Sequence, residues 1–291
     1  MTGPFAPGGR AEATPYVARF EGYHRAVQDA RGHTFVFRQP PRRVVSLVPS
    51  LTETLFDLGA GASVVAITDF CIFPPGLTLP RVGGTKNPRV DEIRALAPDL
   101  VHMNLEENLR RHGEAIEAFA PVFVSEPKSV DGVIALIAQF GELHGRRERA
   151  AALNDAIRTQ LARMPRELFT FACPIWKDPW MWCGGDTYVS HLVETAGGRN
   201  LLGDRTRYPQ VPLDEVLAMR PDAIFLPDEP YVFTEGDARQ IGACAIGPFP
   251  GHLFTWHGSR TLLGLQFLEE ALVRCSGLRK RQQEKGVTQG G

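Results

Sequence analysis

The sequence contains few cysteines and no long apolar run, and both shortages limit the classes to which it can belong. Its five cysteines are spread over 291 residues, at Cys71, Cys173, Cys183, Cys244 and Cys275. Because their number is odd and no C-x-x-C pair occurs, we expect reduced thiols rather than a disulfide framework or a zinc site. No stretch is apolar over the length that a membrane-spanning helix needs.

The N-terminal residues lack the basic segment and the apolar core of a secretory signal. Together with the unpaired cysteines, this predicts a cytoplasmic location. The alternative is an extracytoplasmic protein whose true start or leader is missing from the sequence. The net charge of −1 gives no reason to expect nucleic acid or an anionic membrane as the partner.

Several catalytic and metal-binding motifs are also missing. The sequence has no G-x-S-x-G, no Walker A lysine and no G-x-G-x-x-G after a strand, so we expect no enzyme of those classes. H-x-H and H-E-x-x-H spacings are absent, and the candidate ligands are scattered. These candidates are His102, Glu106, His112, His144 and His191. We therefore predict no catalytic residue and no dedicated metal site, with a transition-metal binder kept as an alternative.

One cassette that is present occurs twice. Val90–Val101 reads V-D-E-I-R-A-L-A-P-D-L-V, and Leu213–Ile224 reads L-D-E-V-L-A-M-R-P-D-A-I. Each copy predicts a helix, a Pro-Asp turn and a strand, and each follows an earlier strand and short helix. The order of strands and helices favours parallel sheets with helices on their faces. The repeat therefore predicts an α/β fold with two Rossmann-like lobes.

Periodicity places the individual elements and the domain limits. We predict strands at Val44–Leu47, Leu100–Met103, Thr170–Cys173 and Ala223–Leu226, and a helix at about 146–164. The predicted pieces are an N-terminal lobe at 14–128, a helical segment at 129–165, a C-terminal lobe at 166–276, and flexible tails at 1–13 and 277–291. Near the end, Glu229–Gly251 is expected to be loop, Leu253–Trp256 a strand, and 261–275 a closing helix.

Several ordered motifs resemble one family. They are Gly32–Gly61, R-V-G-G-T-K-N-P-R-V-D-E-I-R-A-L-A-P-D-L-V, R-Y-P-Q-V-P-L-D-E-V-L-A-M-R-P-D-A-I and T-W-H-G-S-R. Together they resemble the helical-backbone substrate-binding proteins of ABC importers, most closely the branch that binds vitamin B12 and ferric siderophores. The resemblance implies two lobes joined by a long rigid helix, with a corrinoid, siderophore or haem-like chelate held in a cleft between them.

The resemblance also implies a partner. In the family, a carboxylate on each lobe docks onto the membrane permease, and Asp91 and Asp214 stand at the matching positions. We expect a monomer with no intrinsic cofactor, the chelate being cobalamin, a ferric siderophore or haem. A cytoplasmic relative without a permease is one alternative. An enzyme of chelatase type on the same bilobed scaffold is another.

Aromatic residues are the main candidates for ligand contact, since flat or apolar ligands pack on aromatic faces. In the stretch Ile175–Tyr188, three of the four tryptophans lie close together, and Phe70 and Phe73 lie on a first-lobe loop. Positions that match ligand contacts of the family add Tyr208, Trp256 and His257, and Lys86 and Asn108 are candidate hydrogen-bond donors. For every one of them the alternative is ordinary packing or a solvated surface position. The tryptophans of the cluster are Trp176, Trp180 and Trp182.

Overall fold

A computed structural model describes residues 16–17, 25–165 and 168–273 of the chain. It divides into two compact units. Unit 1 contains the N-terminal part to Pro127, residues 131–155 and the short segment His257–Ser259, and unit 2 contains the remainder. In the described residues, no helix combines the length and the apolar character needed to cross a membrane.

Unit 1 begins with a small sheet. Its strands are β1 (Tyr16–Val17), β2 (Arg25–Gln28) and β3 (Thr34–Phe37), in the order β1-β3-β2. The buried Asp29 carboxylate closes the β2–β3 turn by accepting hydrogen bonds from the backbone N–H groups of Arg31 (2.9 Å) and His33 (3.0 Å). Gly32 supplies the left-handed backbone of this turn, with φ 83°. The expected tails at 1–13 and 277–291 lie outside the described residues.

The main sheet of unit 1 has four parallel strands in the order β5-β4-β6-β7. These strands are β4 (Val44–Ser46), β5 (Val64–Ile67), β6 (Leu100–Asn104) and β7 (Val122–Ser125). The helices between them are α1 (Pro49–Asp57), α2 (Val90–Ala95) and α3 (Arg110–Glu117), with a 3₁₀ turn at Gly61–Ser63. Apolar side chains of the strands and of α2 and α3 form one fully buried core.

Two long helices follow. They are α4 (Val130–Leu143) and α5 (Arg147–Arg163), which confirms the helix predicted at about 146–164. Gly145, with φ 63°, provides the left-handed residue between them. The division into units falls inside α5, between Asp155 and Ala156, so the helical segment 129–165 is shared between the units and is not a separate piece.

Unit 2 repeats the sheet of unit 1. Its parallel strands are β8 (Phe169–Ala172), β11 (Gly198–Asn200), β12 (Ala223–Pro227) and β13 (Ala245–Phe249), in the order β11-β8-β12-β13. The antiparallel hairpin of β9 (Pro174–Trp176) and β10 (Met181–Trp182) follows β8. The helices are α6 (Tyr188–Glu194), α7 (Leu213–Ala218), α8 (Glu235–Ile241), α9 (His252–Thr255) and a last helix over residues 261–273. When the four parallel strands of each unit are numbered along the chain, both sheets have the spatial order second, first, third, fourth. The predicted repeat of two parallel α/β lobes is therefore confirmed.

The repeated Pro-Asp turn has the same structural purpose in both units. The Asp99 carboxylate accepts hydrogen bonds from the backbone N–H groups of Arg42 (2.8 Å) and Arg43 (3.0 Å), just before β4. In unit 2, the Asp222 carboxylate accepts from the backbone N–H (2.8 Å) and the hydroxyl (3.0 Å) of Thr170 in β8. Each aspartate therefore fixes the start of the neighbouring strand, which explains why this residue recurs in both copies.

The two helices of the repeat bury an equivalent side chain and end alike. Ile93 in α2 and Val216 in α7 are fully buried in the cores of their units. Each helix is followed by a residue with left-handed backbone, Ala97 (φ 45°) or Arg220 (φ 55°), directly before the proline. This ending stops the helix and turns the chain into the next strand.

The C-terminal part differs from the sequence-based expectation. Glu229–Gly251, expected to be loop, contains α8 and β13, and Leu253–Trp256, expected to be a strand, lies mostly in the helix α9. A capping box in which the Thr234 and Asp237 side chains bond each other's backbone N–H groups starts the polar helix α8. The strand β13 includes Gly247 and Pro248, and it lies at the edge of the sheet, where proline is tolerated.

Candidate functional site

The carboxyl ends of the unit 1 strands are joined by one buried amide. The Asn108 side chain donates hydrogen bonds to the backbone carbonyls of Leu47 (3.1 Å) and Thr85 (2.9 Å). Its amide oxygen accepts from the backbone N–H of Asn104 (2.8 Å). Asn108 thus connects the segments that follow β4, β5 and β6, and it is a structural clamp instead of the ligand donor considered from the sequence.

A second clamp fixes the loop after β5. The Arg81 guanidinium donates to the carbonyls of Thr68 (2.9 Å), Asp69 (2.9 Å) and Cys71 (3.2 Å). Between these anchored residues, Phe70 remains 59% exposed, and Ile72 just beyond them is 55% exposed. Large apolar side chains on a fixed loop at the carboxyl edge of a parallel sheet are in the position where α/β proteins bind ligands. Ile72 is a candidate that the sequence analysis missed, since no spacing distinguishes it from core residues.

The other unit 1 candidates are less well placed. Phe73 is half-buried on the same loop. Lys86 is exposed, and its ammonium donates a hydrogen bond to the backbone carbonyl of Glu106. This contact joins two loops at the carboxyl edge, so Lys86 has a structural partner there.

Unit 2 carries a larger set of rings at the carboxyl edge of its sheet, which we call the aromatic surface. Its members are Trp176, Trp180, Tyr231 and Phe233. The Trp176 and Tyr231 rings meet edge to face at 5.5 Å, and Trp180 stacks on Phe233 at 5.8 Å with an interplanar angle of 20°. Trp176 is 43% exposed, Trp180 and Tyr231 are half-buried, and Phe233 closes the set from below. The structure therefore places two of the three predicted tryptophans on one surface together with Tyr231 and Phe233.

Trp182 requires a correction. It is completely buried in the hydrophobic core of unit 2. Its indole N–H donates to the carbonyl of Val211 (2.8 Å), and its ring stacks under Trp180 at 5.4 Å. The structure gives Trp182 a supporting role beneath the aromatic surface, because the side chain has no face left for a ligand.

A cation lies at the border of the aromatic surface. The Lys177 ammonium is 5.7 Å from the centre of the Trp180 ring and 2.5 Å from the Asp237 carboxylate. The hydrogen bond to Asp237 raises the pKa of Lys177, so the lysine is charged at neutral pH. This ion pair holds the hairpin against α8. It could not be predicted from the sequence because the two residues are far apart in the chain.

Tyr208 lies in the segment after β11 and is half-buried. The Met181–Gln210 bridge joins this segment to the tryptophan hairpin. Gly184 and Gly185 pack directly on the backbone of residues 203–207, where any side-chain carbon would collide with the carbonyls of Arg205 and Gly203. The two glycines thereby hold the Tyr208 segment close to the hairpin.

Trp256 lies in a polar cluster after β13. Trp256 is half-buried, and the Arg260 guanidinium lies 5.6 Å from the centre of its ring. The Trp256 side chain also hydrogen-bonds the Glu229 carboxylate. Burial raises the pKa of Glu229, although hydrogen bonds from Thr255 and Trp256 act in the opposite direction. Each strand of the unit 2 sheet is thus followed by at least one aromatic side chain at its carboxyl end, and Trp256 is the one after β13.

His257 also requires a correction. It is a predicted ligand contact, but its side chain is buried. This burial lowers the pKa of His257 to about 4, so the imidazole is neutral at physiological pH.

The predicted docking residues are on the surface. Asp91 and Asp214 are exposed in the first turns of α2 and α7. Neither is an N-cap, since Arg89 and Pro212 hold those positions without a side-chain capping bond. Their local effect is therefore a favourable interaction with the helix dipole and not a capping bond.

The scattered histidines include one pair that the fold brings together. His102 in β6 and His144 after α4 are fully buried, and their Nε2 atoms are 2.9 Å apart. Burial lowers the pKa of His102 well below its usual value and that of His144 to about 3. Among the residues that the structure describes, no group of three or more His, Cys, Asp or Glu side chains is arranged to hold a metal ion.

Two units with parallel sheets, each exposing apolar or aromatic side chains at the carboxyl edge, define a ligand-binding protein of the α/β class. The family described as "Periplasmic binding protein" matches residues 44–239, well over half of the chain. The chain therefore belongs to this family, and the prediction that it is a substrate-binding protein of the ABC-importer kind is confirmed.

Individual relatives agree with this assignment. An uncharacterized ABC transporter substrate-binding lipoprotein of Bacillus subtilis (strain 168) is 24% identical, with 84% of each chain covered. The vitamin B12-binding protein of Yersinia pestis (strain Pestoides F) is 28% identical over 64% of this chain and 69% of the relative. The solved periplasmic haem-binding protein of Vibrio cholerae superposes with a TM-score of 0.69 at 18% identity, covering 79% of this chain and 98% of the other.

The relatives contradict the predicted location and agree with the expectation of a binding protein. The predicted cytoplasmic location is wrong, because the family and its members are periplasmic binding proteins or lipoproteins. The missing signal and the unpaired cysteines were weak grounds for that prediction. The relatives are also binding proteins rather than enzymes, as expected for a chain without a catalytic motif.

Proposed function

We propose that this substrate-binding protein takes up a large, flat metal chelate of the corrinoid or haem type. The observation that carries the proposal is the aromatic surface of unit 2, where Trp176 is 43% exposed and is held in place by Tyr231. The names of the relatives support the same ligand class, since they include a vitamin B12-binding and a haem-binding protein.

The physical argument rests on rigid, exposed apolar area. A planar macrocycle packed on an aromatic ring buries apolar surface on both partners, and each favourable ring contact contributes about 0.5–1.5 kcal/mol beyond that burial. The stack of Trp180 between Trp182 and Phe233 holds the surface rigid before the ligand arrives. A surface that is already ordered loses little side-chain entropy on binding.

Unit 1 has an exposed apolar surface of its own, formed by Phe70 and Ile72 on the loop that Arg81 fixes. The chelate is cargo and not a resident cofactor, and the protein binds it without turnover. The proposal predicts that bound ligand is recovered chemically unchanged after the protein is denatured.

Intrinsic tryptophan fluorescence tests the ligand class. Cyanocobalamin, haemin and a ferric hydroxamate siderophore are titrated separately into the protein, with free tryptophanamide as the control for inner-filter absorption. We expect saturable quenching at micromolar concentration by at least one of the macrocycles. Quenching by cyanocobalamin and haemin no greater than that of tryptophanamide would refute the proposed ligand class, whatever the result with the siderophore.

We also propose that Asp91 and Asp214 contact the permease. Both are exposed carboxylates at equivalent positions of the two repeats. In a reconstituted transporter, the variant Asp91→Asn/Asp214→Asn should lower ligand-dependent ATPase activity while ligand affinity stays unchanged. Asp57→Asn, which alters a carboxylate at the end of α1, is the matched control, and equal activity of the two variants would contradict the docking role.

A further inference from the structure

Two of the free cysteines lie at the base of the tryptophan hairpin. Cys173 directly precedes β9 and Cys183 directly follows β10. The antiparallel pairing of Trp182 with Pro174 continues by one residue, because the Cys183 N–H donates to the Cys173 carbonyl (2.8 Å). The cysteines are therefore opposite each other across the hairpin, with their side chains on the same face.

This position suits a covalent bond. Residues directly opposite in an antiparallel pair have Cα atoms about 4.5–5.5 Å apart, within the roughly 4.4–6.8 Å range of disulfides. Both side chains are buried. Cys71, by contrast, contacts the hydroxyls of Thr52 and Thr68, both at 3.2 Å.

We propose that Cys173 and Cys183 form a disulfide that closes the base of the tryptophan hairpin in the mature, exported protein. The periplasm and the cell surface are compartments in which disulfides form and persist. The inference uses the compartment of the family and the geometry of the hairpin, and it does not depend on which ligand is bound. It replaces the expectation of reduced thiols, which rested on the odd number of cysteines and on the absence of a C-x-x-C pair.

The chemistry needs an oxidant, which is a small-molecule or protein disulfide. The thiolate of one cysteine attacks the oxidant disulfide, forming a mixed disulfide and releasing one oxidant thiol. The second cysteine then attacks the first cysteine sulfur and releases the other oxidant thiol. Two electrons pass from the cysteines to the oxidant, and the two thiol protons end on the released thiols.

Burial of the two thiols determines when the disulfide forms. The hydrogen bond to Cys183 and burial raise the pKa of the Cys173 thiol, so the folded, reduced protein reacts slowly. The bond therefore forms as the chain folds, before the hairpin base is covered. Its consequence is a hairpin that carries Trp176 and Trp180 and cannot open at its base.

The test uses the full chain, reduced in urea and refolded by dilution into a mixture of oxidised and reduced glutathione. Remaining thiols are alkylated with iodoacetamide under denaturing conditions, and peptides are identified by mass spectrometry. We expect a Cys173–Cys183 linked peptide, with the other three cysteines alkylated. Alkylation of all five cysteines, or a link that joins either residue to a different cysteine, would overturn the proposal.

Two variants make the result independent of refolding yield. Cys71→Ala/Cys244→Ala leaves the pair intact and should still give the linked peptide. In thermal unfolding, oxidised protein should have a higher Tm than reduced protein in the wild type and in this control. The difference should vanish in Cys173→Ser, and a difference that persists there would contradict the assignment.

Discussion

The buried pair of His102 and His144 makes the stability of the protein depend on pH in a way that can be calculated. Their Nε2 atoms are 2.9 Å apart, and aromatic rings surround them, with Phe140 centred 4.5 Å from His102. A charge on either imidazole would lack solvent and would face its neighbour. Folding therefore requires both histidines to be neutral.

Whether stability rises or falls with pH is determined by the direction of the two pKa shifts. Burial lowers the pKa of His144 to about 3 and that of His102 well below its usual value, whereas both titrate near 6.5 in the unfolded chain. Below pH 6.5 the two histidines bind protons in the unfolded chain but stay deprotonated in the folded chain. The stability present above about pH 6.5 is therefore lost as the pH falls from there towards the folded pKa values.

The loss of unfolding free energy caused by the two histidines is a large fraction of the stability of a typical domain. Each pH unit below 6.5 costs about 1.4 kcal/mol per histidine. Between about pH 7.5 and 5.5 the pair should therefore lower the free energy of unfolding by about 3 kcal/mol. Typical domains are stable by only about 5–15 kcal/mol in total.

Urea denaturation followed by circular dichroism at the two pH values measures this loss. In His102→Leu/His144→Leu both polar partners are replaced by apolar ones, so no unpaired group is left, and the pH-dependent loss should shrink by about 3 kcal/mol. His191→Gln, which alters a half-buried histidine at the protein surface, should behave like the wild type. An equal pH-dependent loss in the double variant and the wild type would refute this reasoning.

Three further predictions concern the clamps and the core. Asn108→Ala leaves the carbonyls of Leu47 and Thr85 without their donor, so urea denaturation should show a loss of about 2 kcal/mol, whereas no loss would contradict the clamp. Asp222→Ala and Asp99→Ala remove equivalent acceptors, and each should lower stability by about 1–3 kcal/mol; a loss in only one of them would contradict their equivalence. Trp182→Phe removes the donor to Val211 and should lower the Tm while leaving ligand affinity unchanged, and a selective loss of affinity would show that Trp182 contacts the ligand.

The sequence predicted most of the fold because each repeat carries its own local signals. The apolar face of α2 and α7 and the Pro-Asp turn after each helix are readable without any tertiary information. The strand β13 and the helix α8 were missed for a physical reason. Gly247 and Pro248 weaken the strand signal, and α8 is polar and depends on the Thr234–Asp237 capping box.

The candidate site was predictable only in part. The cluster of tryptophans in the sequence predicted the hairpin that carries the aromatic surface, yet sequence spacing could not tell the exposed Trp176 from the buried Trp182. That difference depends on which face of the hairpin packs on the unit 2 core, and on the loop that brings Tyr231 and Phe233 against it. The His102–His144 pair was missed because strand β6 and the end of α4 meet only in the folded unit.

The most direct measurement of the central proposal is calorimetric titration of the chelate that quenches tryptophan fluorescence into the wild type and Trp176→Ala. Leu168→Ala, which removes an exposed apolar side chain from the start of β8, is the control. The proposal predicts a Kd about 5- to 30-fold higher for Trp176→Ala, as expected for the loss of about 1–2 kcal/mol of ring contact and buried apolar surface, and an unchanged Kd for the control. Equal affinities of wild type and Trp176→Ala would show that the aromatic surface does not bind the ligand.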